Sequence, residues 1–178
     1  MKNKLLIISL FSTIFFTSFS QVVPMGQVVY LLHGYTDNET GWIQFGEVNM
    51  AADKAIASRE IPSMIIVMPD AKATWYMNNA DVSEKFEDMF IQEFIPYIDK
   101  TYRTRAKKEF RGVSGLSMGG FGTLLYSLKR PDMFAACAAF SAAVWTDEEI
   151  KAMPAGGLYG LFEKLFGVTK EKTLLTPH

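Results

Sequence analysis

Apolar positions along the chain follow two rhythms. Short β-branched and aliphatic runs occupy Gln27 to Leu32, Met64 to Met68, Glu109 to Ser114 and Phe134 to Phe140, and the longer stretches between them repeat with helical period. Runs of this kind read as strands buried on both faces of a parallel sheet. The last run is also compatible with a helix, because Ala135, Ala136, Ala138 and Ala139 favour one. Within Val48 to Arg59, Met50, Ala51, Ala55 and Ile56 form a helical stripe. Within Ser83 to Tyr102, Ile91, Phe94, Ile95, Ile98 and Tyr102 recur at the spacing of a core-facing helix. Asp81-Val82-Ser83-Glu84 offers that helix a cap, and Pro96 should kink it or open a new turn. A third helix is expected over Met118 to Lys129, stopped by Arg130-Pro131-Asp132. Beyond Trp145 the pattern loosens into amphipathic pieces, Glu148 to Met153 and Leu158 to Phe166, separated by Ala155-Gly156-Gly157. Residues 146–178 therefore read as part of a cap or lid.

Strands alternating with helices predict one α/β domain with a mostly parallel sheet, helices on both faces and right-handed crossovers. The expected spatial order is second, first, third, fourth strand, which leaves the third interior. The N-terminus departs from this pattern. Lys2 and Lys4 precede an apolar run from Leu5 to Phe16, and Thr17-Ser18-Phe19-Ser20 supplies small residues at a cleavage position. Residues 1–20 read as a secretory signal peptide cleaved after Ser20, because the run is shorter than the roughly 18 to 20 residues that span a bilayer. No stable membrane insertion is expected, and the product would be secreted or periplasmic. Residues 21–178 form the single domain.

Composition removes several alternatives. Hydrophobic residues make up 49% and aromatics 13% of the chain, which excludes disorder. The formal net charge is −1 and falls to −3 without the leader's two lysines, so nucleic-acid binding loses its electrostatic support. A single cysteine, Cys137, excludes an intramolecular disulfide and a cysteine zinc site. Among alanines, it reads as a small buried hydrophobe.

Gly115-Leu116-Ser117-Met118-Gly119 has the Gly-x-Ser-x-Gly form of a nucleophile elbow. Such a pentapeptide arises by chance in roughly one chain in twenty of this length, so its setting decides. It follows an apolar run and opens a helix, the strand-turn-helix context that lifts a serine hydroxyl out of a sheet. The bland alternative is that Ser117 merely caps a helix. A second element argues against that: Val29-Tyr30-Leu31-Leu32-His33-Gly34-Tyr35-Thr36 is a strand running into a His-Gly loop. In this arrangement the Met118 N–H and an N–H of the first loop would hold a developing oxyanion, with Tyr35 the candidate donor and Gly34 next. His33, inside the loop, reads as structural rather than catalytic.

With both elements in place, residues Val28 to about Trp145 resemble the esterase D group of the α/β-hydrolase superfamily. That group includes secreted feruloyl and acetylxylan esterases, tributyrin esterases, S-formylglutathione hydrolases and mycolyltransferases. The matching phrases are Tyr30-Leu31-Leu32-His33-Gly34-Tyr35-Thr36-Asp37-Asn38-Glu39, Val67-Met68-Pro69-Asp70, Trp75-Tyr76-Met77-Asn78-Asn79, Glu93-Phe94-Ile95-Pro96-Tyr97-Ile98-Asp99 and the elbow through Gly122. The resemblance implies a serine carboxylic-ester hydrolase with Ser117 as nucleophile, needing no cofactor or metal. Secretion points to an extracytoplasmic ester, such as acylated or feruloylated polysaccharide. Oligomeric state is not implied.

The departures from the group are equally informative. The group opens with an antiparallel strand pair before the Leu-Leu-His-Gly strand and continues past its cap to strands that deliver a triad Asp and His. Here Asp132 and Asp147 lie too near the nucleophile helix to match that acid, and His178 falls where the group is still in its cap. The chain is expected to be a truncated member, incomplete at both ends and inactive as written. An acyltransferase of the same fold, or a non-catalytic remnant or binding protein, are the other readings. Asp70 is expected to brace its loop. Trp42, Trp75, Tyr76 and Asn78 sit in loops at the carboxyl edge of the sheet, where they would either line a substrate pocket or simply pack.

Overall fold

The computed structural model describes residues 5–9, 26–153 and 157–167. Five strands form one sheet among the described residues: β1 (Leu5–Ser9), β2 (Gln27–Leu32), β3 (Met64–Pro69), β4 (Arg111–Leu116) and β5 (Ala136–Phe140), in spatial order β1-β3-β2-β4-β5. The last four are parallel and take the order expected from the sequence, with Val29 paired to Ile66 on one side and Gly112 on the other. β1, which lies inside the run read as a leader, adds antiparallel to the β3 edge, Leu5 opposite Pro69 and Ser9 opposite Ile65.

Alternation along the strands divides the core. Val28, Tyr30, Leu32, Val67 and Val113 face a layer with Phe90, Ile95, Ile98, Tyr126 and Phe134, whereas Leu31, Ile66 and Met68 face Ala52 and Trp42. Helix α2 (Val48–Ala57) therefore covers one face, after a single turn α1 (Gly41–Gln44). The other face is covered by α5 (Met118–Lys129) and by a composite helix of α3 (Phe86–Met89), a π-helical turn (Phe90–Phe94) and α4 (Ile95–Thr101). Phe90 and Tyr126 stack across these helices with ring centroids 4.8 Å apart. Pro96 does open a new turn. It has no N–H to give, and just before it the ladder widens so that Ile95 N–H donates to Phe90 O.

At the amino ends of the strands a buried network ties α4 to β4. Arg111 Nη2 donates to Asp99 Oδ2 at 2.6 Å and Nη1 to Met133 O at 3.2 Å, while Thr104 Oγ1 donates to Asp99 Oδ1 at 2.7 Å. α6 (Asp147–Ala152) and α7 (Gly157–Phe166) follow the sheet. Among the described residues, no helix is long and apolar enough to cross a membrane.

Three expectations need correction. The third strand begins at Arg111 rather than Glu109, because Lys108–Phe110 forms a tight 3₁₀ turn, and it runs on to Leu116. The long helix begins at Phe86, and Asp81 does not cap it. The Asp81 carboxylate closes a local turn instead, accepting from Ser83 N–H at 3.0 Å and from its hydroxyl at 2.5 Å. Both bonds, the hydroxyl's first, hold the Asp81 carboxyl below its usual range. Lastly, β5 is not a buried strand. It is the outermost described strand on its side of the sheet, nearly all its side chains are exposed, and Cys137 is exposed with them.

Candidate active site

Ser117 occupies the single residue between β4 and α5, with φ 56° and ψ −114°. A side chain in that backbone region is strained by about 1 to 3 kcal/mol and persists only where its surroundings over-determine it. They do so here. Ser117 N–H donates to Phe140 O at 2.9 Å, and Ser117 O accepts from Phe121 N–H at 2.9 Å and Ala143 N–H at 3.1 Å. The flanking glycines allow strand and helix to converge: a Cβ on Gly115 would lie 2.4 Å from Gly119 O.

The loop after β2 runs beside this turn. A Cβ on Gly34 would stand 3.8 Å from Ser117 Cβ and 3.7 Å from Leu116 O, so the loop passes at van der Waals distance. Its shape is fixed through His33, which is 1% exposed. Nδ1–H donates to Gly34 O at 2.7 Å, and Nε2 accepts the Ala71 N–H at 3.0 Å. The His33 carbonyl accepts from Tyr76 OH at 3.0 Å, and the Tyr76 carbonyl accepts from Tyr126 OH at 2.6 Å. A relay of buried phenols thus connects α5 to the β2 loop. Burial pushes both phenols well above their ordinary range. Both ring nitrogens of His33 are committed to the backbone, so the geometry gives it the structural part expected of it.

Asp70, at the carboxyl end of β3, accepts from Lys72 N–H at 3.0 Å and lies 3.9 Å from His33 Nε2, bracing the neighbouring loop. Met118 is fully buried as the first residue of α5. Tyr35 is exposed, its ring 6.4 Å from that of Trp75. Trp42 Nε1 donates to Leu32 O at 3.1 Å, and Asn78 Oδ1 accepts from Asp88 N–H at 3.1 Å, which closes the start of α3. Trp42 Nε1 and Asn78 Oδ1 therefore hold backbone. Among the described residues, no group of three or more His, Cys, Asp or Glu could hold a metal ion. His178 lies outside the described residues.

Trp75 is the hub of an aromatic cluster that the sequence did not reveal. Its ring centroid is 5.7 Å from Phe121, 5.4 Å from Trp145 and 5.3 Å from Phe162 of α7. Trp75 and Tyr76 are consecutive non-glycine residues at positive φ, 56° and 60°. Phe121 and Trp145 were legible only as isolated aromatics, because they join Trp75 through packing between segments distant along the chain.

The family described as "Putative esterase" matches residues 20–159. A protein of Xylanibacter ruminicola named endo-1,4-beta-xylanase/feruloyl esterase is 39% identical over 127 residues, which is 70% of this chain and 18% of that protein. Among solved structures, a ferulic acid esterase superposes with a TM-score of 0.64 at 32% identity, covering 87% of this chain and 61% of its own. An S-formylglutathione hydrolase from Staphylococcus aureus superposes with a TM-score of 0.68 at 22% identity, covering 93% of this chain and 60% of its own, and shares the α/β-hydrolase fold. The chain thus spans less than two thirds of the length of each relative.

Proposed function

The chain belongs to the esterase family, and on that footing we propose that it is built to hydrolyse carboxylic esters through Ser117. The Ser117 hydroxyl attacks the ester carbonyl carbon and its proton passes to a base. The carbonyl oxygen gathers charge facing the N–H groups of Met118 and Tyr35. The alcohol departs with the proton, and water then attacks the acyl-serine to release the acid and restore Ser117. The observation that carries this reading is the strained Ser117 turn with the Gly34 loop alongside it. Trp75, whose ring packs against Phe121 of α5, is the proposed pocket residue, together with Trp42 and Asn78.

His33 is not the base in this scheme, since its two nitrogens serve Gly34 and Ala71. That same observation supports a second reading, in which this chain binds esters without turning them over. The substrate is proposed to be an extracytoplasmic acyl ester on a polysaccharide, including feruloyl esters. Support comes from the leader-like residues 1–20 and from the xylanase partnered to feruloyl esterase in the relative's name.

The test is release of acid from 4-nitrophenyl acetate and methyl ferulate, with Ser117→Ala as control. Enzymic turnover must vanish in S117A, and turnover that survives defeats the reading. Added alcohol acceptors separate hydrolysis from acyl transfer.

A further inference from the structure

Five of the nine residues from Lys100 to Lys108 are cationic, Lys100, Arg103, Arg105, Lys107 and Lys108, and all five are exposed. Among the described residues none of them lies within ion-pair distance of a carboxylate. Glu109 is the single acid in the stretch 100–109, while Asp99 is committed to Arg111 and Asp132 to Arg130. In a chain whose formal net charge is −1, this is a local concentration of unbalanced positive charge.

The cations are carried on fixed backbone. Gly26 N–H donates to Arg103 O at 2.9 Å and Arg105 N–H donates to Gly26 O at 3.0 Å, so the segment is stitched to the amino end of β2. Thr104, between the two arginines, is buried, and its hydroxyl donates to Asp99. The Arg105 guanidinium lies 3.2 Å over the Phe110 ring, and Tyr102 packs against the core. Surfaces that enter a lipid headgroup layer add free apolar side chains, and those that hold single-stranded nucleic acid add open ring faces. Here both neighbouring rings are half-buried and engaged, and the patch is charge alone, which suits a polyanion in water.

The patch lies at the amino ends of the strands, whereas Ser117 follows the carboxyl end of β4. The six residues of β4 separate those ends by about 20 Å, at roughly 3.3 Å per residue. A small ester does not span that distance, but a polymer does. We propose that the surface from Lys100 to Lys108 docks a carboxylated polysaccharide, whose uronate groups pair with Arg103, Arg105, Lys107 and Lys108. The inference deepens the reading of the substrate as a polysaccharide ester and rests on it for the class of polymer. Its test needs no turnover.

The probes are polygalacturonate and the same polymer with its carboxyl groups methyl-esterified, so that charge differs on one backbone. Binding is measured by calorimetry on the full chain. The parent should bind polygalacturonate at least about tenfold more tightly than the esterified polymer, and raising salt from about 50 to about 200 mM should weaken that binding by about tenfold or more. Arg103→Gln with Arg105→Gln, and separately Lys107→Gln with Lys108→Gln, should each weaken it by about five- to tenfold. Lys54→Gln with Lys85→Gln, which removes two exposed cations elsewhere, should leave it unchanged. Ser117→Ala should bind as the parent does, so failure of the esterase reading and failure of this proposal are told apart. Equal affinity for the two polymers, an equal loss in the Lys54 and Lys85 variant, or binding to phosphatidylglycerol vesicles in place of polygalacturonate overturns the proposal.

Discussion

Gly119 lies so close to Leu32 that a Cβ built on it would stand 2.3 Å from the Leu32 carbonyl oxygen, and 2.7 Å from that of His33. Those are backbone atoms at the end of a central strand, so they cannot move aside cheaply. Gly119→Ala is expected to cost about 3 kcal/mol, seen as a lower urea midpoint with unchanged slope. A midpoint equal to the parent's would show that the elbow is not packed against β2 in this way.

His33→Ala should act on stability. It removes the acceptor of the buried Ala71 N–H, which costs about 2 kcal/mol. Denaturant unfolding checks this, and an H33A chain as stable as the parent would refute the structural role.

Replacing Asp99 by Asn leaves the Arg111 guanidinium largely buried without its ionic partner. Losing one member of a buried pair typically costs about 3 to 5 kcal/mol, here somewhat less because Asp99 keeps some solvent contact. D99N should therefore lower the melting temperature markedly, whereas a loss of under about 0.5 kcal/mol would mark the pair as a surface one.

Alkaline stability follows from three buried phenols. Tyr30, Tyr76 and Tyr126 all have raised pKa values, burial being the main cause. The unfolded chain releases these protons near pH 10 while the folded chain retains them. Stability is thus undiminished by these groups below about pH 10 and falls above it, by up to about 4 kcal/mol per pH unit when all three contribute. Urea midpoints across this range check the sign, and Tyr126→Phe should reduce the slope by about a third. Stability that stays flat to about pH 11 would contradict the prediction.

Much of this fold was legible because it is local. The runs around Tyr30, Val67 and Val113 carry their own β-branched pattern, and alternation with helices sets their order. What failed depends on distant neighbours. Ala136 to Phe140 reads as buried from its composition, yet burial needs a covering layer, and Cys137 is exposed; it should react with a thiol reagent in the native protein. Asp81 has the residue type of a helix cap, but Asn78 reaches Asp88, ten residues on, because the chain folds back between them. The Ser117 turn was readable from two glycines. The Trp75 cluster was not, since its members come from four separate segments.

On the proposed reading the turn presents Ser117 as an acyl acceptor, while both His33 ring nitrogens are engaged by backbone. The most direct test is peptide mapping of the acetyl group after brief exposure to 4-nitrophenyl acetate, with and without added imidazole as an external base. The predicted result is slow acetylation at Ser117, accelerated by imidazole, absent in Ser117→Ala and unchanged in kind by His178→Ala. Acetyl groups scattered over surface lysines and serines, with Ser117 left unmodified in both conditions, would contradict the account.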